Sequence, residues 1–337
     1  MRSKRKGYSF YLFVLGTTLV ASTTGWTSPP AVSVGERPAV EQHLDQAEID
    51  AGAIQKKKLI AHGQLLFDAR FNALDGQGRP GSTGTGAPRM ADQPAFIRTS
   101  SPDSYACSGC HNQPSSGGAG DFVANVFVLA QALDPVTFSV APAFSNERNT
   151  LGMFGAGAIE MLAREMSAEL IAIRESAAAE AASSGSSATR DLIAKGVSFG
   201  RITVMPDGRV DPSEIDGVDW DLIIKPFHQK GAVVSIREFT NNAMNHHHGM
   251  QSVERFGQGD DPDLDGIVDE LTVGDITAVT IFQAALPAPG PVASRYAARR
   301  RAAARGEKLF EEVGCGSCHR STLVLASSQF SEPNPFN

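Results

Sequence analysis

Two short segments of this chain carry the same reactive pattern, Cys107-Ser-Gly-Cys110-His111 and, far downstream, Cys315-Gly-Ser-Cys318-His319, and together they use all 4 cysteines. Cysteines three apart on one helical turn can each form a thioether to one haem vinyl group, while the adjoining histidine reaches the iron. Two rival chemistries are open to the pattern. A zinc ribbon also pairs Cys-x-x-Cys units, but across a much shorter gap and without a histidine after each, and a redox dithiol has no need of that histidine either. Two complete motifs with no cysteine left over make two covalently attached c-type haems the reading that employs every one of these residues. It makes His111 and His319 the proximal iron ligands.

Candidates for the opposite face of each iron are more diffuse. Met153 follows His111 at a separation from which a cytochrome thioether can return to the iron, with Met161 and Met166 close behind, although methionine at helical spacing also serves as core packing. His246-His247-His248-Gly249-Met250 is the most unusual polar run inside the chain, and His246, His248 and Met250 are distal-ligand candidates. Adjacent side chains diverge on a helix and alternate on a strand, so only one of the three imidazoles can point at a given metal. Gln251 and Glu254 follow at once and could move a proton between the oxygens of a bound peroxide, or simply be hydrated surface groups. Asp261-Pro-Asp263-Leu-Asp265-Gly266-Ile267-Val268-Asp269 matches a calcium loop at positions one, three, five and nine, with glycine at six and the Ile267 carbonyl at seven. Position twelve is Thr272 instead of the bidentate glutamate an EF-hand requires, so a Ca2+ site here needs a ligand from elsewhere, and an acidic turn is the plainer reading.

The elements that must hold these groups can be read in outline. Arg2, Lys4, Arg5 and Lys6 precede an apolar run from Tyr8 to about Ala21, followed by small residues, as in a secretory signal peptide over 1–22. Cleavage there predicts a periplasmic protein without a stable membrane span, which agrees with haem attachment outside the cytoplasm. The chain of 337 residues has a formal charge of −7, and loss of a leader with four basic and no acidic residues leaves about −11. That balance argues against nucleic acid and permits a basic redox partner. Gly63-Gln-Leu-Leu-Phe67 and Gly306-Glu-Lys-Leu-Phe310 echo one another upstream of the two motifs, and each reads as an entry helix whose glycine admits a crossing helix and whose phenylalanine packs near a haem edge. A Gly-rich loop interrupts the first copy between Asp75 and Pro88. Helix is expected from Met153 to Ile173 and on to Ala182, a hairpin around Pro206-Asp-Gly208, a short strand over Asp219–Ile224, helix from Val234 towards Asn245, and a stiff linker at Leu286–Pro291. Trp220 is expected in a core, and the arginines at 295, 299, 300, 301 and 305 on a solvated helix face. The tail after His319 holds neither Met nor His, so the second haem domain is expected to be incomplete in this sequence.

With these residues assembled, the chain resembles the di-haem oxidoreductase family of c-type cytochromes, described as putative peroxidases or thiol oxidoreductase-like proteins. The likeness is carried by Gly63–Phe67, by Cys107-Ser-Gly-Cys110-His111-Asn-Gln-Pro114, by Lys225-Pro-Phe through Met250-Gln, and by Gly306 through His319. The expected fold is mainly α with small β-hairpin insertions; the resemblance implies two cytochrome c-like haem domains, the second of which is expected to be truncated in this sequence. The expected organisation is a first haem domain over 30–195, a connecting region over 196–290 and the start of a second haem domain over 291–337. The expected activity is electron transfer between the haems, exchange with a redox protein donor or acceptor, and reduction of a small oxidant such as hydrogen peroxide. A non-enzymatic electron carrier and a haem subunit of a larger respiratory complex are the competing expectations.

Overall fold

The computed structural model describes residues 37–77, 104–121, 123–126, 146–228, 231–263, 265–290 and 292–336. The leader and most of the loop expected before Pro88 lie outside the described residues. The chain divides into two compact units. One comprises Met1–Ala156 with Ile236–Pro287, the other Gly157–Ser235 with Ala288–Asn337.

The first unit is built on a helix crossing. Helix α1 (Gln46–Asp50) is capped by the Asp45 side chain. Helix α2 (Lys56–Asp68) turns Leu59, Gly63, Leu66 and Phe67 inward, an apolar stripe at helical spacing. A two-stranded antiparallel ribbon follows, β1 (Val123–Val126) with β2 (Asn146–Asn149). After the second unit's first segment the chain returns through α4 (Ile236–Ala243), a π-helical turn at Met244–His248, the single turn α5 (Val253–Phe256) and α6 (Val273–Ala284). Thr272 caps α6 by accepting the Asp275 N–H while the Asp275 carboxylate reaches back to the Thr272 N–H. Helix α6 lies against α2 where Gly63 stands. A Cβ there would sit 2.0 Å from the Ala278 carbonyl oxygen, so only glycine lets the two backbones approach this closely. Phe67, Phe71, Leu66, Met244, Met250, Leu271, Ile276, Val279 and Phe282 fill the core beneath the crossing.

The second unit rests on the long helix α3 (Ala156–Ser184), which covers most of the expected stretch and ends within the serine run expected to break it. Strands β3 (Ala188–Ala194), β4 (Val197–Val204) and β5 (Val210–Asp211) form an antiparallel meander in that order. Leu192, Ala194, Phe199, Ile202 and Leu222 pack with Met166 and Leu170 of α3. The hairpin around Gly208 is present as β4–β5, but β4 makes its longer pairing with β3. The domain boundary expected between 195 and 196 therefore falls inside the β3–β4 hairpin, and 236–287 joins the first compact unit. Asp219–Ile224 is not a strand. Leu222, at φ 64°, is buried, whereas Trp220 is 72% exposed in place of the core position expected. Helix α7 (Ala297–Glu312) buries no residue, in keeping with its arginine content. Among the described residues no helix is long and apolar enough to cross a membrane.

Candidate functional site

The two Cys-x-x-Cys-His segments share one backbone. Cys107–Gly109 and Cys315–Ser317 each form a single 3-10 turn. In the first, Cys110 and His111 donate their N–H groups to the Cys107 carbonyl at 3.2 and 2.9 Å, and in the second Cys318 and His319 donate to the Cys315 carbonyl at 3.2 and 2.9 Å. A phenylalanine from the preceding helix meets each motif histidine. The ring centroids of Phe67 and His111 are 6.2 Å apart, those of Phe310 and His319 6.0 Å. All four cysteines are free thiols. The turn brings both sulfurs of a motif and its imidazole to one locality, as attachment of a single macrocycle requires, so the residues fit covalent haem at both places.

Surroundings distinguish the two. The first motif is tied into its unit from several sides: Ser104 donates its N–H to the His247 carbonyl, Phe71 to the Tyr105 carbonyl, and Ser116 its hydroxyl to Asp68 at the end of α2. His111 Nδ1 lies 3.0 Å from the Leu151 carbonyl oxygen. A carbonyl can only accept, so Nδ1 carries the proton and Nε2 is the nitrogen with a lone pair. Burial lowers the His111 pKa, offset in part by hydrogen bonding to the Leu151 and Gly118 backbones. Cys107 packs against the core with its sulfur inward, and burial pushes its thiol up to about 12. The second motif follows a helix with no buried residue, and Cys318 and His319 are exposed.

Among the distal candidates, the π-helical turn brings His248 to the first motif. Its Nδ1 lies 2.8 Å from the Ser104 carbonyl, which fixes the proton there, and its Nε2 lies 3.3 Å from Cys107 Sγ. The Phe71 ring flanks it at 5.7 Å. Met250 is buried in the core of the same unit, and Met153 packs on that core from the segment whose Leu151 carbonyl holds His111. His246 is half-buried in the turn. Met161 and Met166 belong to the other unit, where Met166 is a core residue. Glu254 has its carboxylate bound by Arg237, with Nε 2.9 Å from both oxygens and Nη2 2.6 Å from Oε2, and Arg237 continues to Thr277 Oγ1 at 2.9 Å. Gln251 is buried and turned towards the acidic loop. Sequence pattern pointed to neither Arg237 nor Ser104, because partners so remote in the chain leave no local spacing to read.

The acidic loop gathers Asp261, Asp263 and Asp265 so that one carboxylate oxygen from each lies within 4.8 Å of the others. Asp261 accepts the N–H groups of Asp265 and Gly266, and Asp265 accepts that of Ile267, with Gly266 at φ 93° making the bend. Asp269 instead accepts the Gly259 N–H at 2.7 Å, closing the base of the loop. Thr272 is occupied as the cap of α6 and as a donor to the Leu44 carbonyl at 2.6 Å, which explains why position twelve holds no acidic ligand. Glu270, unremarked in the sequence, is buried beside the three aspartates. Burial, with their charges adding, pushes its carboxyl up to about 10 and that of Asp263 up to about 7.

A further buried carboxylate organises the helix crossing. Asp275, fully buried, lies 2.6 Å from His43 Nδ1 and 2.8 Å from His62 Nε2 and also accepts the Leu44 N–H. Burial alone would raise its pKa, yet the bonds to His43 and His62 outweigh that and hold it below the usual carboxylate range, while the bond to Asp275 raises His43.

No family model, no curated protein and no solved structure matches this chain.

Proposed function

We propose that this chain is an exported di-haem c-type oxidoreductase that passes electrons between its two haem sites and reduces a small oxidant of the hydrogen peroxide kind at one of them. The observation that carries this reading is the repeated turn, in which two Cys-x-x-Cys-His segments adopt the same backbone hydrogen bonds and each sets its histidine against a helix phenylalanine. Cys107 with Cys110, and Cys315 with Cys318, would hold the macrocycles, and His111 and His319 would ligate them. Haem bound at such a turn supplies an iron centre that changes oxidation state by one electron.

The chain's own residues set how that centre behaves. The Leu151 carbonyl fixes the His111 tautomer and ring plane and makes the imidazole a more basic ligand. Met153 packs on the core of the same unit, two residues from that carbonyl. His248 Nε2 faces Cys107 Sγ, so this imidazole would stand beside a haem held by Cys107, where it could take up or give a proton. A carboxylate engaged as Glu254 is, on both oxygens by Arg237, makes a poor proton carrier, which favours the histidine turn over Glu254 for acid–base work.

His248, buried beside the first motif, also favours a second reading, an electron carrier whose haems would be closed to small ligands. Optical and paramagnetic-resonance spectra of the secreted, haem-loaded chain, oxidised and half-reduced, with cyanide and then peroxide, separate the two. The oxidoreductase reading expects one site to bind cyanide and to oxidise a reduced donor when peroxide is added. Low-spin spectra throughout, without ligand binding, assign the carrier. An intact mass without added macrocycle would remove both.

A further inference from the structure

We infer that Asp261, Asp263, Asp265 and Glu270 form a calcium site, in which Glu270 takes the part that the missing residue at loop position twelve would have played. The three aspartates alone would be an acidic turn. What points to a ligand is the pair of buried carboxylates with oxygens left over. Asp263 is 5% exposed, with the Gln251 and Asp261 side chains beside it and neither of its oxygens in a well-formed hydrogen bond among the described residues. Glu270 is 4% exposed; its Oε2 accepts the Gln251 N–H at 2.6 Å, and its Oε1 has no partner among the described residues. Gln251, 5% exposed and facing Asp263, adds an amide oxygen that is likewise unsatisfied.

Several carboxylates gathered under cover, with no arginine or lysine paired to them among the described residues, are costly to keep charged, and a divalent cation offsets that cost. The donor set is oxygen throughout, which suits a hard cation. Counting one or two oxygens from each of the four carboxylates, the Gln251 amide and the Ile267 carbonyl that loops of this pattern supply at position seven, the site reaches the roughly six to eight ligands that calcium takes. Magnesium, which demands a tighter octahedron and keeps its waters, is less suited to so crowded a carboxylate set.

The site has a structural consequence. Gln251 follows Met250 and the histidine turn directly, and its carbonyl accepts the Leu271 N–H while the Leu271 carbonyl accepts the Val253 N–H. An ion gripping Glu270 therefore pins both sides of this short parallel pairing and, through it, the segment that carries His248.

The test uses the full secreted chain, stripped with a chelator and titrated with calcium in a calorimeter and in thermal melts. One calcium per chain should bind, with a rise in Tm at about 1 mM calcium, the range of extracellular calcium modules, and at least about tenfold weaker binding of magnesium. Glu270→Gln keeps the shape and removes the buried charge, so it should raise Tm in chelator while weakening calcium by on the order of tenfold or more. Asp263→Asn should do the same. No calcium binding by the parent chain, or calcium binding unchanged in both variants, would overturn the assignment. The outcome is read without any haem signal and stands apart from the redox reading.

Discussion

The two Cys-x-x-Cys-His turns are alike in backbone and opposite in setting. Around the first, Gly63 is jammed against the Ala278 carbonyl, Phe67 is 1% exposed, and Cys107, Phe71 and His248 close in on the motif. Around the second, nothing described lies within 4 Å of a Cβ built on Gly306, and Phe310 is 40% exposed. The same local sequence, glycine then phenylalanine then the pentapeptide, thus specifies the turn and the phenylalanine–histidine contact without specifying what surrounds them. The turn is local, whereas the environment around it is assembled from distant parts of the chain.

The sharpest way to break the comparison is to remove the sulfurs. If both turns attach haem as proposed, replacing Cys107 and Cys110 with alanine should eliminate one of the two haems, and replacing Cys315 and Cys318 the other, each read by intact mass and by haem absorbance falling to about half. Retention of both haems in either double variant would show that the turn is not the attachment point. Next in size is the pair of phenylalanines. Phe67→Ala empties a core position and should cost about 3–5 kcal/mol in chemical denaturation, while Phe310→Ala, already largely hydrated, should cost under about 1 kcal/mol in the chain without haem. The glycines give a smaller contrast of opposite sign. Gly63→Ala forces a methyl into a backbone carbonyl and should destabilise by about 1–3 kcal/mol or more, whereas Gly306→Ala lies in the open interior of α7 and should stabilise by about 0.5–1 kcal/mol. Equal effects at the two glycines would mean that the second entry helix is as tightly crossed as the first.

These contrasts also mark what could be read from the sequence. The pentapeptides, the entry helices and the Gly208 hairpin are encoded by residues close together in the chain, where spacing and turn chemistry speak directly. The acidic loop was legible at Asp261, Asp263 and Asp265, but Glu270 was not, because a fixed loop register directs attention to position twelve, and Thr272 there is committed to capping α6. Strand β3 escaped notice because its alternation is broken by a bulge between Asp191 and Ile193. Trp220 was misplaced because an indole is ordinarily buried, and here Leu222, at φ 64°, holds the core position. The contacts of His248 to Ser104 and Cys107, and of Asp275 to His43 and His62, join segments far apart in sequence, and only the fold reveals them.

The Asp275 cluster provides the finest test of how the two units differ. His43 has its folded pKa raised above 6.5 by its bond to Asp275, with Asp75 contributing through its charge. A raised histidine pKa means that the stabilisation is complete below the unfolded value and is lost as pH climbs through the folded one. Asp275, held below the usual carboxylate range, adds stability that is present above its unfolded pKa and lost only in strong acid. The charged pair therefore contributes most between about pH 4 and 6.5 and fades on the alkaline side of neutrality. Because the His43 side chain is about a third exposed, solvent screening reduces its share to about 0.5–1 kcal/mol. In the second unit the shifted groups titrate elsewhere. Glu165 is lowered from 4.5 by hydrogen bonds from Lys195 and the Ala326 and Ser327 N–H groups, which outweigh its burial, and Lys195 is raised from 10.5 by its bonds to Glu165 and Glu169. Chemical denaturation of the chain from pH 5.5 to 8.5 should accordingly show His43→Asn less stable than the parent at the acid end, with the gap closing by the alkaline end. A gap of constant size across that range would mean that His43 acts as a neutral hydrogen-bonding group alone. The clamp on α6 would then be a matter of shape, with no charge in it.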